Sequence, residues 1–313
     1  MSERPEMFQG VDSIWMNGEF VDFDDANVHV LTHGLHYGTG IFEGVRAYET
    51  EDGPAIFRWD EHLERFYDSA KPYDLEIGYE PEELTEATVE LLRRENLQSG
   101  YIRPIAFYGY ESLGLDPSGV PTDVAIAAWP WGTYLGEDAL ENGVEVMVSS
   151  WRKHASSQIP TNAKTTGLYV NSLLAGEEAR RNGYAEAIVL NKEGNVAEGP
   201  GENLFLVRDG EIYTPGLAEG ILDGITRRTV ITLARELGYT VHDEATISRG
   251  ELNTADELFF CGTAAEVTPI RKVDNVVIGS GSRGPITEEI QSAFFDLVER
   301  RTDDHPEWFI FVE

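Results

Sequence analysis

Apolar positions along the chain recur with two different periods, and the switches between them mark out the elements. Residues 13–21 alternate around Asn17-Gly18, a residue pair suited to a tight hairpin turn. Over 61–70 the period lengthens to that of a helix. Leu63, Phe66, Tyr67 and Ala70 share one face, and Asp60 stands where an N-cap acceptor is needed. A second helix is predicted over 81–96, with Pro81 in its first turn and Leu84, Ala87, Leu91 and Leu92 inward. Strand patterns follow at 101–108 and 123–129. Trp129-Pro130-Trp131-Gly132 then breaks the alternation and predicts a linker.

Beyond the break, strands are expected at 144–149, 186–190, 203–207, 211–213 and 258–261, with Asp209-Gly210 as a hairpin turn. Helices are expected at 169–182 and 226–237, stopped by Gly183 and Gly238, and at 287–300. The pattern predicts an α+β protein of two domains: a small N-terminal domain over 1–130, a linker over 131–141 and a larger domain over 142–313.

Composition narrows the function. No run approaches the ~20 apolar residues of a membrane span, and the charged N-terminus does not read as a secretory signal. A single cysteine, Cys261, rules out an internal disulfide framework and packs most simply at a strand end. A cytoplasmic location is expected. Fifty-six acidic residues against 24 basic ones give a formal charge of -32, which repels nucleic acid and anionic membranes. The acids are dispersed rather than gathered into a tail. They suggest a solvated surface adapted to a salt-rich, halophilic cytoplasm.

Among the five lysines, Lys164 differs from Lys71, Lys153, Lys192 and Lys272. It lies in an uncharged run, Pro160 to Tyr169, just ahead of a helix, as an amine used for covalent catalysis requires. Lys153 and Lys272 each stand beside an arginine. A second feature is Glu198-Gly199-Pro200-Gly201-Glu202-Asn203, a rigid turn that could hold an acid against a pyridinium nitrogen; taken alone, a surface turn fits as well. Gly224-Ile225-Thr226 at a helix start and Gly262-Thr263-Ala264 after a strand have anion-binding character, though helices often begin on threonine. Arg58, between Phe57 and Trp59, is a candidate phosphate partner or an ordinary strand-edge arginine.

Two other patterns are set aside. Gly279-Ser-Gly281-Ser-Arg-Gly284 matches a dinucleotide fingerprint, but too little chain follows for the rest of that fold, so it reads as a loop. His29, His33 and His36 lack companions in metal-ligand spacing and fit aromatic or core roles, so no metal is expected.

Seven strings, in order over most of the chain, resemble the fold-type IV pyridoxal phosphate enzymes and, within them, the branched-chain amino acid aminotransferases. They are HGLHYGTGIFEGVRAY (33–48), YIRP (101–104), PWGTYLG (130–136), the lysine segment (149–179), EGPGENLF (198–205), LDGITR (222–227) and GTAAEVTP (262–269). The resemblance implies a two-domain fold like that of D-amino acid aminotransferase, its larger domain having a β-barrel-like core.

It also implies roles for particular residues. Lys164 is similar to the lysine that bonds the pyridoxal 5'-phosphate cofactor and shuttles the proton, Glu198 to the acid on its ring nitrogen, and Tyr169 to the tyrosine on its phenolic oxygen. Arg58, Ile225, Thr226 and Thr263 resemble phosphate ligands. Tyr101, Thr263 and Ala264 resemble the receptor of the substrate α-carboxylate. Tyr37, Phe42, Leu115 and Trp131 resemble the apolar walls around a branched side chain, and Arg103 the arginine that receives the distal carboxylate of glutamate.

The implied reaction is reversible transamination of L-leucine, L-isoleucine and L-valine with 2-oxoglutarate by a ping-pong course. The implied partners are those small molecules and further copies of the chain. A homodimer is the smallest unit, with Tyr37 and Leu115 reaching a neighbouring subunit's site, and a hexamer is left open. Thr165-Thr166-Gly167-Leu168 departs from relatives that often carry smaller or more polar residues, which bears on substrate range. Three rival readings predict different behaviour: a D-amino acid aminotransferase ignores L-leucine, an aminodeoxychorismate lyase releases pyruvate without an acceptor, and a non-catalytic acidic binding protein is colourless.

Overall fold

The computed structural model describes residues 4–132 and 136–312, in two compact units. The first comprises Met1–Gly132, Ala163–Gly167 and Val298–Glu313; the second comprises Thr133–Asn162 and Leu168–Leu297. The expected cut at 131–141 includes 133–135, which lie outside the described residues. A contiguous second domain over 142–313 is not what the chain forms. The Lys164 segment and the C-terminal strand join the first unit because they pair with it, Thr165 bridging to Ile41 and Phe309–Phe311 adding to Gly53–Phe57.

The sheet of the first unit is antiparallel. Its order is Phe309–Phe311, Gly53–Phe57, Val45–Thr50, Gly100–Tyr108, Thr122–Trp129, Ser13–Met16, Glu19–Asp22, with Gly40–Phe42 also paired to Gly100–Tyr108. Asn17 and Gly18 turn the first hairpin with φ of 50° and 92°. Helices Trp59–Ala70 and Pro81–Arg94 cover one face.

Strand period separates the two faces. Ile102, Ala106, Tyr108, Val124, Ile126 and Ala128 join Trp59, Leu63, Phe66, Leu84 and Leu91 in the core. The alternate residues Tyr101, Arg103 and Trp129 therefore stand on the opposite face. Burying a large side chain such as Phe66 contributes about 1.5–3 kcal/mol, so this register is strongly specified.

Two helix details differ from expectation. Helix Trp59–Ala70 begins two residues early, with Arg58 rather than Asp60 at the N-cap. Trp59 is buried, and the Arg58 N–H donates to the Trp308 carbonyl, which holds Arg58 left-handed at φ 52°. Tyr67, expected inward, is half-buried and donates its hydroxyl to the Tyr79 carbonyl. Helix Pro81–Arg94 carries a capping box made by Glu80 and Glu83 and buries the expected face plus Thr88.

The second unit holds a nine-stranded mixed sheet in the order Val196–Glu198, Glu186–Leu190, Val144–Arg152, Glu266–Val273, Glu257–Gly262, Asn203–Arg208, Glu211–Pro215, Val241–Ala245, with Val276–Val277 beside Glu266–Val273. Val144–Arg152 runs parallel to both its neighbours, and Glu211–Pro215 is parallel to Val241–Ala245. Helix Tyr169–Arg181 packs on Val144–Arg152 and Glu186–Leu190, and helix Ile225–Glu236 on Glu257–Gly262. A last helix spans Pro285–Val298, and the glycine-rich 279–284 is a loop before it. The mixed α and β content is that of the fold-type IV class.

Candidate active site

The first unit gathers Lys164, Phe42, Tyr101, Arg103 and Trp131. Lys164 is tethered at both ends of its peptide: its N–H donates to Ser69 Oγ at 2.9 Å, and its carbonyl accepts from the Phe42 N–H at 3.1 Å. Along its length the residue is half-buried, but its amine is enclosed by protein. Burial therefore brings its pKa down to about 8, with Glu43 opposing the fall and Arg65 adding to it. The Phe42 ring is shared between two cations, with Lys164 Nζ 5.1 Å and Arg103 Cζ 4.9 Å from its centroid.

Arg103 also lies 5.2 Å from the Tyr101 ring and 5.9 Å from that of Trp129, and donates to Tyr101 Oη at 3.4 Å. Its buried Nε–H has no hydrogen-bond partner among the described residues. Tyr101, Trp129 and Trp131 form an aromatic group with centroids 5.2–6.0 Å apart. Arg46 holds the following turn by donating to the Gly132 carbonyl at 2.9 Å. Gly44 is required here, because a Cβ on it would lie 1.8 Å from Tyr101 Oη. Thr166 donates its hydroxyl to the Gly38 carbonyl at 2.9 Å.

Arg58 is buried elsewhere in this unit, paired with Glu61 at 2.6 Å and stacked 4.2 Å over Trp308. Tyr37 and Leu115 are not in the Lys164 group. Tyr37 stacks on His33, 4.6 Å between centroids, and Leu115 is 87% exposed in a loop. His33 joins the Thr39 hydroxyl and the Gly114 carbonyl, each at 2.8 Å, while His29 lies against Tyr110 and His36 bonds the Val30 carbonyl.

In the second unit Glu198 is buried. Its Oε2 accepts from Asn203 Nδ2 at 3.1 Å and from the Leu222 N–H at 3.0 Å, and its Oε1 accepts from Lys153 Nζ. Asn203 is itself fixed by Leu222 and crowded by Gly224, where a Cβ would lie 2.1 Å from Asn203 Oδ1. Ile225 and Thr226 open a helix whose N-cap, Gly224, offers no side-chain acceptor, and the positive end of the helix lies at these residues. Thr263 and Ala264 form the turn between Glu257–Gly262 and Glu266–Val273 and are half-buried. Tyr169 is the first residue of its helix. Burial pushes the Cys261 thiol far up, as suits a packed strand residue.

Sequence reasoning passed over Lys153, which it grouped with lysines beside another basic residue. Its partner stands 45 positions away, so no local signal was available. It also passed over Glu43, His62, Arg65 and Ser69. The spacing 62, 65, 69 was a legible signal, since it sets three polar side chains together on one helix face beside the apolar stripe.

The model of the class IV amino-transferases matches residues 40–273. Among curated relatives, the branched-chain-amino-acid aminotransferase of Pseudomonas aeruginosa is 52% identical over 300 residues, covering 96% of this chain and 97% of that protein. The Escherichia coli enzyme of the same name is 50% identical over 298 residues, covering 95% and 96%. The crystal structure of the E. coli branched-chain amino acid aminotransferase superposes with a TM-score of 0.95 over 97% of this chain and 100% of that one, at 50% identity. The branched-chain amino acid aminotransferase of Thermobaculum terrenum, solved in its PLP-form, gives 0.90 at 34% identity, covering 96% of this chain and 98% of that one.

The chain belongs to the class IV aminotransferases. Within that class it falls among the branched-chain-amino-acid aminotransferases, and it is a transaminase. Class IV aminotransferases use pyridoxal 5'-phosphate. Each unit carries groups whose chemistry suits that cofactor: the first an enclosed amine whose pKa burial brings down to about 8, the second a buried carboxylate held from three sides.

Proposed function

We propose that the enzyme transfers amino groups between L-leucine, L-isoleucine or L-valine and 2-oxoglutarate, reversibly and by a ping-pong course. The observation that carries this reading is the Phe42 ring flanked by the Lys164 amine and the Arg103 guanidinium. A ping-pong transaminase must accept an apolar side chain and a carboxylate in turn at one place. An aromatic wall ending in an arginine whose Nε–H lacks an acceptor among the described residues meets both demands.

Lys164 would hold the cofactor and move the proton at the substrate Cα through Nζ. A pKa of about 8 leaves a usable fraction of free amine at neutral pH. Glu198 would meet the ring nitrogen, and Tyr169 the phenolic oxygen. Arg58, Ile225, Thr226 and Thr263 would hold the phosphate. Tyr101, Thr263 and Ala264 would receive the α-carboxylate, and Trp131 would complete the apolar wall. The bound cofactor supplies an electron sink for the negative charge that develops at Cα.

Val30, Leu31, Leu35 and Tyr37, with Leu113 and Leu115 of a loop linked to them by His33, are exposed apolar residues, which supports a homodimer covering them. Tyr37 and Leu115 would line the neighbouring subunit's site in that assembly.

The test is an absorbance spectrum of the purified protein in high salt, before and after L-leucine is added without an acceptor. The reading expects a visible band that gives way to a near-ultraviolet one, and no visible band in Lys164→Ala. A visible band indifferent to L-leucine would leave the cofactor reading and overturn the substrate. Release of pyruvate from added aminodeoxychorismate without an acceptor would favour a lyase.

A further inference from the structure

A buried ionic cluster on the helix-covered face of the first unit has no part in the reaction proposed above. Glu43 is 1% exposed. Its Oε1 accepts from Arg65 Nε at 2.7 Å, and its Oε2 accepts from the second Arg65 terminal nitrogen at 2.9 Å and from His62 Nδ1 at 2.7 Å. Burial by itself raises the Glu43 carboxyl, but attraction to Arg65 and His62, with their hydrogen bonds, holds it well below the usual carboxylate range. Burial pushes the His62 ring down, and Glu43 opposes that fall. The cluster is thus built around a buried carboxylate–guanidinium pair with the imidazole on the carboxylate.

Such a pair is an expensive way to fill a core, because apolar residues of equal volume often do as well or better. Its location suggests a task. Helix Trp59–Ala70 presents His62, Arg65 and Ser69 on one face; the first two hold Glu43, and the third accepts the Lys164 N–H at 2.9 Å. Phe42, the residue before Glu43, donates its N–H to the Lys164 carbonyl. The segments that clamp the cluster therefore also clamp the lysine. The charged and titratable groups acting on the amine are Glu43, Arg65, Tyr101 and Arg103, and His62 feels the lysine's charge in return.

We propose that Glu43, with Arg65 and His62, is a positioning cluster for Lys164, fixing its segment and balancing the charge around its amine. This rests on reading Lys164 as the cofactor-bearing lysine.

The test uses the full chain without cofactor, treated with cyanate over a pH series, with carbamylation of Lys164 read by mass spectrometry and exposed Lys71 and Lys192 as internal references. The wild-type midpoint is expected at about 8. Glu43→Gln leaves Arg65 unopposed and is expected to lower the midpoint by about one unit. Glu43→Gln with Arg65→Gln restores neutrality and should bring it back towards wild type, which a merely structural lesion would not do. Arg65→Gln alone should raise it, and that variant decides the matter if Glu43→Gln does not fold. Unchanged midpoints, or a double variant displaced further than the single, would overturn the proposal. If the visible band survives in Lys164→Ala, the cofactor reading fails instead, whatever the cyanate profiles show.

Discussion

Replacing Gly44 by alanine asks how closely the Tyr101 side of the first sheet is built. A Cβ at this position lies 1.8 Å from Tyr101 Oη and 2.7 Å from Tyr101 Cζ. Ordinary contact begins at about 3.5 Å, so the phenol must retreat by about 1.7 Å or the backbone must shift. Tyr101 has little room to do so, since its ring packs on Trp129 and Trp131 and its hydroxyl accepts from Arg103. Overpacking of this kind costs about 1–3 kcal/mol, which for a chain of this size is a fall of several degrees in Tm. A misplacement of about 1 Å at a binding group costs on the order of 100-fold in kcat/KM. The assay is a thermal melt together with single-turnover rates for L-leucine on Gly44→Ala, Tyr101→Phe and the double variant. Because Oη is the closest atom, removing it should recover part of the Tm lost in Gly44→Ala. A Gly44→Ala enzyme with unchanged Tm and kcat/KM would refute the reasoning, and strictly additive losses in the double variant would refute the assigned clash.

Arg103→Leu should depress the half-reaction with glutamate by about two orders of magnitude while leaving that with L-leucine within a few-fold, measured by single-turnover absorbance. Equal losses with both substrates would remove Arg103 from substrate selection. Asn203→Ala takes a donor from Glu198 and from the Leu222 carbonyl; it should cost about 1–3 kcal/mol of stability and speed cofactor loss, read by melting and by decay of the visible band on dialysis. Raising KCl from about 0.1 to 1 M shortens the screening length from about 10 to 3 Å, so a chain of net charge -32 should gain Tm with salt. A Tm indifferent to salt would contradict an acidic surface suited to a salt-rich environment.

Much of this protein is legible along the chain. The two long helices of the first unit, its first hairpin, the strands at 101–108 and 123–129, and the alternation that puts Arg103 opposite Ile102 follow from local period, because side-chain direction is set within a few residues. The strands Gly40–Phe42, Val45–Thr50, Gly53–Phe57 and Phe309–Phe311 are not read from it. Lys164 could be singled out by its uncharged surroundings, and Glu198 by the glycines and proline beside it. Tertiary structure decided which charges meet. Glu43 finds Arg65 across 22 positions, and Glu198 finds Lys153 across 45, distances at which no periodicity operates. It also decided that residues 163–167 belong with the first unit, since one bridge to Ile41 and two backbone hydrogen bonds outweigh their place in the sequence. Proton affinity came last. Five lysines share one side chain, and only the packing of Phe42, Ser69 and the Glu43 cluster around Lys164 makes its amine weakly basic, because desolvation and nearby charge act through space rather than along the chain.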